Sequence, residues 1–385
     1  MNRKCAVCGR FRSATKPCKQ CEASKVTTPS LSSSLPDPLP DLLAEDLELV
    51  KTKESLKSVK SKYSTALQRI DDLQRSLSLA LSLNSSQSSF QPDLSSENPV
   101  TYTSKETTEA IPILLWSDWH PGEYVDPKTV NDINTYNIEV FKSRVDALLE
   151  EAHRIIEMLR QRFTIDTAVI WLGGDLITGY IHPELMESNT LSPTQEVLLS
   201  QEVILKGLNY LIEEAGLDKL IVPCSFGNHG RTGEKMKVST AHINSYEWLM
   251  YKSLQLSFTK DPRVEFYVSD GHIFYLNIWD KVLRFTHGDA IKYQGGIGGL
   301  TVPLIKWIHR QDQVRKADMT FLGHFHTLQF HHAFTTNSSL IGPTAYSLRL
   351  GFPPEPPQQA LVLLEKEKGF TLRCPVLAQP LEDKT

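Results

Sequence analysis

No stretch of this chain approaches the ~18 consecutive apolar residues of a membrane-spanning helix, and the opening MNRKCAVCGR is basic and lacks the apolar core of a signal peptide. The expectation is therefore a cytoplasmic, intracellular chain with no membrane partner. Cysteine is scarce outside one segment. Of six, Cys5, Cys8, Cys18 and Cys21 crowd the start, while Cys224 and Cys374 stand alone, the opposite of a disulfide-stapled secreted fold. Positive charge is scarce as well once the head is passed. Residues 1 to 25 hold seven Lys or Arg against the single acid Glu22, so the net charge of −4 divides into +6 there and −10 in the remainder. A body of that sign is not one whose totals announce nucleic-acid binding. What is present, 385 residues at 40% hydrophobic content, suffices for one large core or two to three ordinary ones.

The head, residues 1–24, reads C-x2-C-x9-C-x2-C. Two paired knuckles give four thiolates that can close a tetrahedron around one structural Zn2+, and a segment this small cannot fold on burial alone. A redox C-x-x-C is the rival reading, weakened by the presence of two pairs. The basic residues around Phe11 suit nucleic-acid phosphates or the solvated face of a protein-binding knuckle, and the sequence does not choose between them.

A Pro- and Ser-rich linker at 25–40 leads into residues 41–83, where Leu42, Leu49, Leu56, Tyr63, Ile70 and Leu77 recur every seven residues. Val59, Ala66, Leu73 and Ala80 lie three after their predecessors, which makes the a/d seam of a coiled coil and a homo-oligomer. The alternative is one amphipathic helix packed on the following domain. Residues 84–108 are polar and Ser-rich and read as a flexible tether. From 109 to 380 the texture is α/β: IPILLW (111–116), TAVIWL (167–172), KLIVPC (219–224), VLRFT (282–286) and MTFL (319–322) read as buried strands. A helical period through Val140, Val145, Leu148, Leu149, Ile155, Ile156 and Leu159 lies between them.

Each strand is followed at once by a polar motif: SDWHPGE with Asp118 and His120, GGDLITG with Asp175, FGNHGR with Asn228 and His229, THGD with His287, and GHFH with His324 and His326. Functional groups of α/β sheets gather where strands end. If GHFH continues the extended strand, His324 and His326 project to one face while Phe325 turns to the core. Neutral imidazoles so placed favour a metal. Arg231 is a candidate substrate contact and His182 a further one, while His153, His242, His272, His309, His331 and His332 read as structural or exposed.

The order D-x-H, GD, GNH, H-G and GH-x-H resembles the calcineurin-like metallophosphoesterase superfamily over residues 111–327. That resemblance implies a two-sheet αββα sandwich, preceded here by the zinc knuckle and the coiled-coil helix. It also implies a dinuclear centre of divalent ions, Mn2+, Fe2+ or Zn2+ by the softness of the donors. One ion would be held by Asp118, His120, Asp175 and His326, the other by Asp175, Asn228, His287 and His324, with Asp175 bridging. His229 would serve as acid or transition-state stabiliser. The family usually continues GNH with Asp or Glu, and Gly230 leaves open what orients His229.

The Asp-Arg-Gly of Ser/Thr protein phosphatases is missing after Asp175, whereas SDWHPGE is similar to the SDWHLG of SbcCD-type DNA repair exonucleases. The first expectation is therefore a nuclease acting on DNA or another nucleic acid. A phosphatase or cyclic-nucleotide phosphodiesterase on a small substrate is the alternative. An assembly scaffold with a degenerate phosphoesterase domain is the third.

Overall fold

In the computed structural model, residues 107–181, 185–292 and 299–379 are described, together with the backbone of two short strands near the N-terminus. The chain divides into two compact units, residues 1–101 and 102–385. Within the first, β1 (Arg3–Lys4) and β2 (Phe11–Arg12) pair antiparallel, Arg3 opposite Arg12 and Lys4 opposite Phe11. The four head cysteines, the heptad segment 41–83 and His182 lie outside the described residues.

The second unit holds two sheets. The larger has the order β14 (Gly369–Leu377), β13 (Gln358–Glu365), β3 (Thr108–Trp116), β5 (Thr167–Leu172), β6 (Lys219–Cys224) and β7 (Val264–Val268), with β4 (Phe163–Thr164) pairing the start of β3. β3, β5, β6 and β7 run parallel. The smaller has the order β11 (Gln329–Phe330), β12 (Phe334–Thr336), β10 (Met319–Leu322), β9 (Lys281–Thr286) and β8 (Phe274–Ile278).

Alternation along the strands builds the layers, because successive side chains leave opposite faces. Ile111, Ile113 and Leu115 of β3, with Val169 and Trp171 of β5, meet Leu283 and Phe285 of β9 and Met319 and Phe321 of β10 between the sheets. The intervening Leu114, Trp116, Ala168, Ile170 and Leu172 face the other way. They are covered by residues of α1 (Ile138–Arg160), α3 (Pro193–Glu213) and α4 (Tyr246–Ser257), among them Phe141, Leu148, Leu208 and Met250. Two further short helices are α2 (Leu185–Ser188) and α6 (Ala345–Arg349). On the outer side of the small sheet, Leu304 and Ile308 of α5 (Thr301–Asp312) cover Leu322 and Phe334. The result is an αββα sandwich, and it explains why TAVIWL reads as one unbroken apolar run: both faces are buried. Trp171 is fully buried between the sheets, its ring 5.8 Å from that of Phe285, so truncating it to alanine would cost about 3–5 kcal/mol.

Register then places the motifs. Trp116 lies opposite Leu172, and Leu172 opposite Cys224, in parallel strands. The segments that begin at Ser117, Gly173 and Ser225 therefore leave the large sheet along one edge. Thr286 lies opposite Leu322 in the small sheet, which brings His287 and the GHFH turn out together. No helix of the described residues is long and apolar enough to cross a membrane.

Candidate metal centre

The strand-end segments are tied to one another by backbone. Asp118 N–H donates to Gly174 O at 3.0 Å, Trp119 N–H to Asp175 O at 2.9 Å, and Gly323 N–H to His287 O at 2.9 Å. Five of the seven residues named above as metal ligands sit in the left-handed region: Asp118 (φ 57°), His120 (48°), Asp175 (52°), His324 (70°) and His326 (51°). That conformation is uncommon for residues with a Cβ and clusters at functional sites. It also corrects one expectation. His324 and His326 do not continue β10 in extended form; both are past its end, each in a left-handed bend. They reach different neighbours: the His324 ring lies 5.2 Å from that of His287, and the His326 ring 5.1 Å from that of His120. Trp119, between two of the site residues in sequence, turns into the core against Trp116 and Phe141.

Three overlapping donor groups result, each with its ligand atoms within 4.8 Å of one another: Asp118, His120 and His326; His120, Asp175 and His229; and Asp175, His287 and His324. Asn228 joins the last group, its Oδ1 3.2 Å from His287 Nε2. His287 Nδ1–H donates to Gly173 O at 2.8 Å, which turns the lone pair of Nε2 toward Asp175 Oδ2 at 3.0 Å. An imidazole nitrogen, a carboxylate oxygen and an amide oxygen converge there, a donor set that a divalent cation would satisfy in place of a proton shared between His287 and Asp175. The Asp118 group has the same donor types: His120 Nε2 faces His326 Nε2 at 3.2 Å, and His326 Nε2 lies 3.4 Å from Asp118 Oδ1. His120 Nδ1 is buried with no hydrogen-bond partner. These donors fit divalent ions of the borderline kind.

The electrostatics divide the four rings: desolvation opposes the charge of His326, but Asp118 raises it above the ordinary value, while two others are lowered. Burial, with the neighbouring imidazoles His229 and His326, holds His120 well below the usual histidine range. Burial, with His287 beside it, lowers His324 to about 4. Both rings are therefore neutral and able to ligate at pH 7. His287 goes the other way: burial opposes its charge, but the adjacent Asp175 raises it well above the ordinary value. Asp175, although desolvated, is held well below the carboxylate range by His287 and His229.

The carboxylates are themselves held. Asp118 Oδ2 accepts from Ser117 Oγ at 2.5 Å and Oδ1 from His324 N–H at 2.9 Å. A Cβ on Gly323 would stand 2.6 Å from Asp118 Oδ2, so the glycine before the histidine pair is there for close approach. Asn337 Nδ2 donates to Ser117 Oγ at 2.9 Å and Gln359 Oε1 accepts from Ser117 N–H at 3.0 Å, fixing the whole turn.

His229 is oriented by backbone. Its Nδ1–H donates to Thr178 O at 2.7 Å, its own N–H to Asp175 Oδ1 at 2.9 Å, and its Nε2 lies 4.0 Å from Asp175 Oδ2. The space that a side chain at Gly230 would occupy is filled by Glu247, whose Cγ stands 2.7 Å from the position of such a Cβ. From the first turn of α4 this buried carboxylate accepts from Leu176 N–H and Gly227 N–H, both at 2.6 Å. It thus staples the Asp175 segment to the Asn228 segment. Burial, with Asp175 nearby, pushes Glu247 up to about 8. Glu196 of α3 does the same one loop further on, accepting from Thr178 N–H at 2.6 Å and Gly179 N–H at 2.9 Å. Sequence reasoning missed both, because an acid in the first turn of a helix is ordinary on dipole grounds. Arg231 lies beside Asn228 and donates to Gly233 O at 3.1 Å and Ile181 O at 3.4 Å. Cys224 is core, as its apolar strand implied.

No protein-family model matches the sequence, and no curated protein matches it. Among solved structures the chain is similar to Vps29 from Entamoeba histolytica complexed with zinc, at 12% identity over 69% of this chain and 99% of that one, with a TM-score of 0.29. It is also similar to a conserved uncharacterized protein, a predicted phosphoesterase, from Streptococcus pneumoniae (13% identity, 70% and 98% covered, TM-score 0.26). A hypothetical protein from Pyrococcus horikoshii matches at 11% identity, 69% and 88% covered, TM-score 0.32. Likenesses so distant carry no weight beside the site's own geometry.

Proposed function

We infer that this chain is a dinuclear metal-dependent phosphoester hydrolase, with nucleic-acid phosphodiesters as the favoured substrate. The observation that carries the reading is the set of overlapping donor groups linked through His120 and Asp175, in which imidazole nitrogens face carboxylate oxygens at 3.0 and 3.4 Å. Asp118, His120, Asp175 and His326 would hold one ion and Asp175, Asn228, His287 and His324 the other. When bound, two divalent ions supply Lewis-acid polarisation of the phosphoryl group and lower the pKa of a water nucleophile. The remaining work falls to the chain. The bond from His287 Nδ1 to Gly173 O and the contacts of Asp118 keep the ligands in one geometry, which raises their effectiveness. His229, its Nδ1–H fixed on Thr178 O, presents Nε2 to the centre; burial lowers the pKa of the ring, so Nε2 would first take up the proton released by the attacking water and then hand it to the leaving oxygen.

The nuclease preference rests on the similarity of SDWHPGE to SbcCD-type exonucleases and on the basic head. For the head we propose a structural Zn2+ on Cys5, Cys8, Cys18 and Cys21, and for residues 41–83 a homo-oligomeric coiled coil. The formal −10 of the chain beyond residue 25 favours the second reading, a phosphatase or cyclic-nucleotide phosphodiesterase on a small substrate. The test is an assay of the purified full chain with Mn2+, Fe2+ or Zn2+ on bis(4-nitrophenyl) phosphate, 4-nitrophenyl phosphate, linear duplex DNA and single-stranded DNA. Turnover of the diester and of DNA is expected. Turnover of the monoester alone moves the substrate to a small phosphate ester, and no turnover of any ester overturns the hydrolase reading. His229→Ala should keep its metals and lose about 10²- to 10⁴-fold in turnover of DNA, whose alkoxide needs a proton. The loss should be smaller with nitrophenolate as leaving group, and equal losses would assign His229 to phosphate binding instead.

A further inference from the structure

A cleft opens beside Asn228, on the side of the centre that carries Asp289. Its outer wall is the segment from Arg231 to Ser245. That segment is closed at its base by the bridge between Arg231 and Ser245 and by the bond from Thr232 N–H to Asn244 O at 3.0 Å. It is pinned further out by His272 Nε2 on Val238 O at 3.2 Å. Inside the cleft are Arg231, Lys235 and Lys237, against one acid, Asp289. None of the three cations has a carboxylate partner among the described residues; the Arg231 guanidinium is held only by the carbonyls of Gly233 and Ile181. The floor is different in kind. Phe226 is 7% exposed and meets the ring of His272 edge-on at 5.2 Å; Met236, on the exposed outer segment, also lines the cleft.

Cations without carboxylate partners above an aromatic and apolar floor, directly beside a site residue, match a strand of nucleic acid: phosphates for the lysines, a base face for the floor. A small phosphate ester has no second phosphate to offer the lysines. We propose that the cleft binds the nucleotide next to the scissile phosphate of a single-stranded nucleic acid, with Lys235 and Lys237 on the neighbouring phosphate and Phe226 and His272 against its base. The proposal rests on the hydrolase reading and narrows its substrate. It also gives His272, which the sequence left as structural or exposed, a part in recognition.

The experiment uses the full chain with both lysines changed, Lys235→Ala with Lys237→Ala. A thymidine trinucleotide should inhibit turnover of bis(4-nitrophenyl) phosphate by the unchanged protein, and the double variant should weaken that inhibition about tenfold and flatten its logarithmic salt dependence by about 0.7. Turnover of the small diester itself, which carries no second phosphate for the lysines, should stay unchanged. Equal inhibition of both proteins, or an equal loss on the small diester, overturns the proposal. If the unchanged protein turns over no ester, the hydrolase reading fails separately. Photocrosslinking of a 5-iodouracil trinucleotide then decides the cleft: attachment at Phe226, Met236 or His272 supports it, and attachment elsewhere overturns it.

Discussion

The two halves of the centre are built from the same residue types and differ in how tightly they are held. Around Asp175, the His287 side chain is 1% exposed, its Nε2 is 3.0 Å from the carboxylate, and its far nitrogen is anchored on Gly173 O. Around Asp118, the His326 side chain is 35% exposed and its Nε2 lies 3.4 Å from the carboxylate. The first half is closed and held by the chain's own contacts, and the second opens to solvent. The difference follows from topology. Asp175 leaves a strand in the middle of the large sheet, flanked by the Asp118 and Asn228 segments and covered by His287 from the small sheet, whereas His326 lies two residues beyond His324 on the way out of the turn.

Removing the shared carboxylate should break both halves. Asp175→Ala is expected to lose both ions and all activity, because Asp175 also accepts the His229 N–H that positions the third segment. Metal analysis that finds two ions in the variant would undo the comparison and the site together. The next largest effect separates the halves: His287→Ala should weaken metal binding more than His326→Ala, since the closed half has no solvent ligand ready to replace the lost imidazole. Titration of Mn2+ or Zn2+ into both variants checks this, and the reverse order would show that the open half is the tighter one.

Glu247→Gln probes what holds the closed half. The amide can accept only one of the two backbone N–H bonds and sets a second donor against the other. Metal affinity should fall by about 10- to 100-fold, and a protein equally loaded with metal and equally active would reduce Glu247 to packing. The smallest effect concerns Glu196. Burial pushes its carboxyl up from the ordinary 4.5 to about 7, against the N–H donors of Gly179 and Thr178. The folded state therefore binds the proton more tightly, and its stability should decline as the pH rises from about 4.5 to 7 and level off above. Glu196→Gln should remove that contribution to the slope in urea unfolding of the metal-free protein; an unchanged slope would show that the donors keep the carboxylate ionised.

The inner strands of both sheets are legible as apolar runs. TAVIWL, KLIVPC and MTFL fall on β5, β6 and β10 at the same residues, because burial on both faces leaves an uninterrupted signal. IPILLW and VLRFT likewise fall within β3 and β9, whereas other strands are not legible in that way. β7, β8 and β14 carry partly exposed, mixed residues that no period distinguishes from loops. β13 is buried throughout, yet it opens on Gln358 and Gln359 and closes on Glu365, which shortens its apolar run. Among site residues, the type and order of Asp118, His120, Asp175, Asn228, His229, His287, His324 and His326 mark them as candidates, since each follows a strand closely. Their conformations are not written locally. The left-handed φ of His324 and His326 accompanies contacts of Gly323 and Asp118 across the sheets, so an extended chain is the wrong guide there.

By itself, then, the sequence determined which residues could bind metal, because ligand chemistry belongs to side-chain type and strand ends are marked by where apolar runs stop. Tertiary structure alone decided which residues meet. Parallel register lined up Trp116, Leu172 and Cys224, and packing of the two sheets brought His287 and His324 to Asp175. Helix placement set Glu247 into the space left by Gly230, and closure of the segment from Arg231 to Ser245 set Lys235 into the cleft beside Asn228. Those are contacts between segments distant in sequence, and no local propensity encodes the distance at which two strands end beside each other.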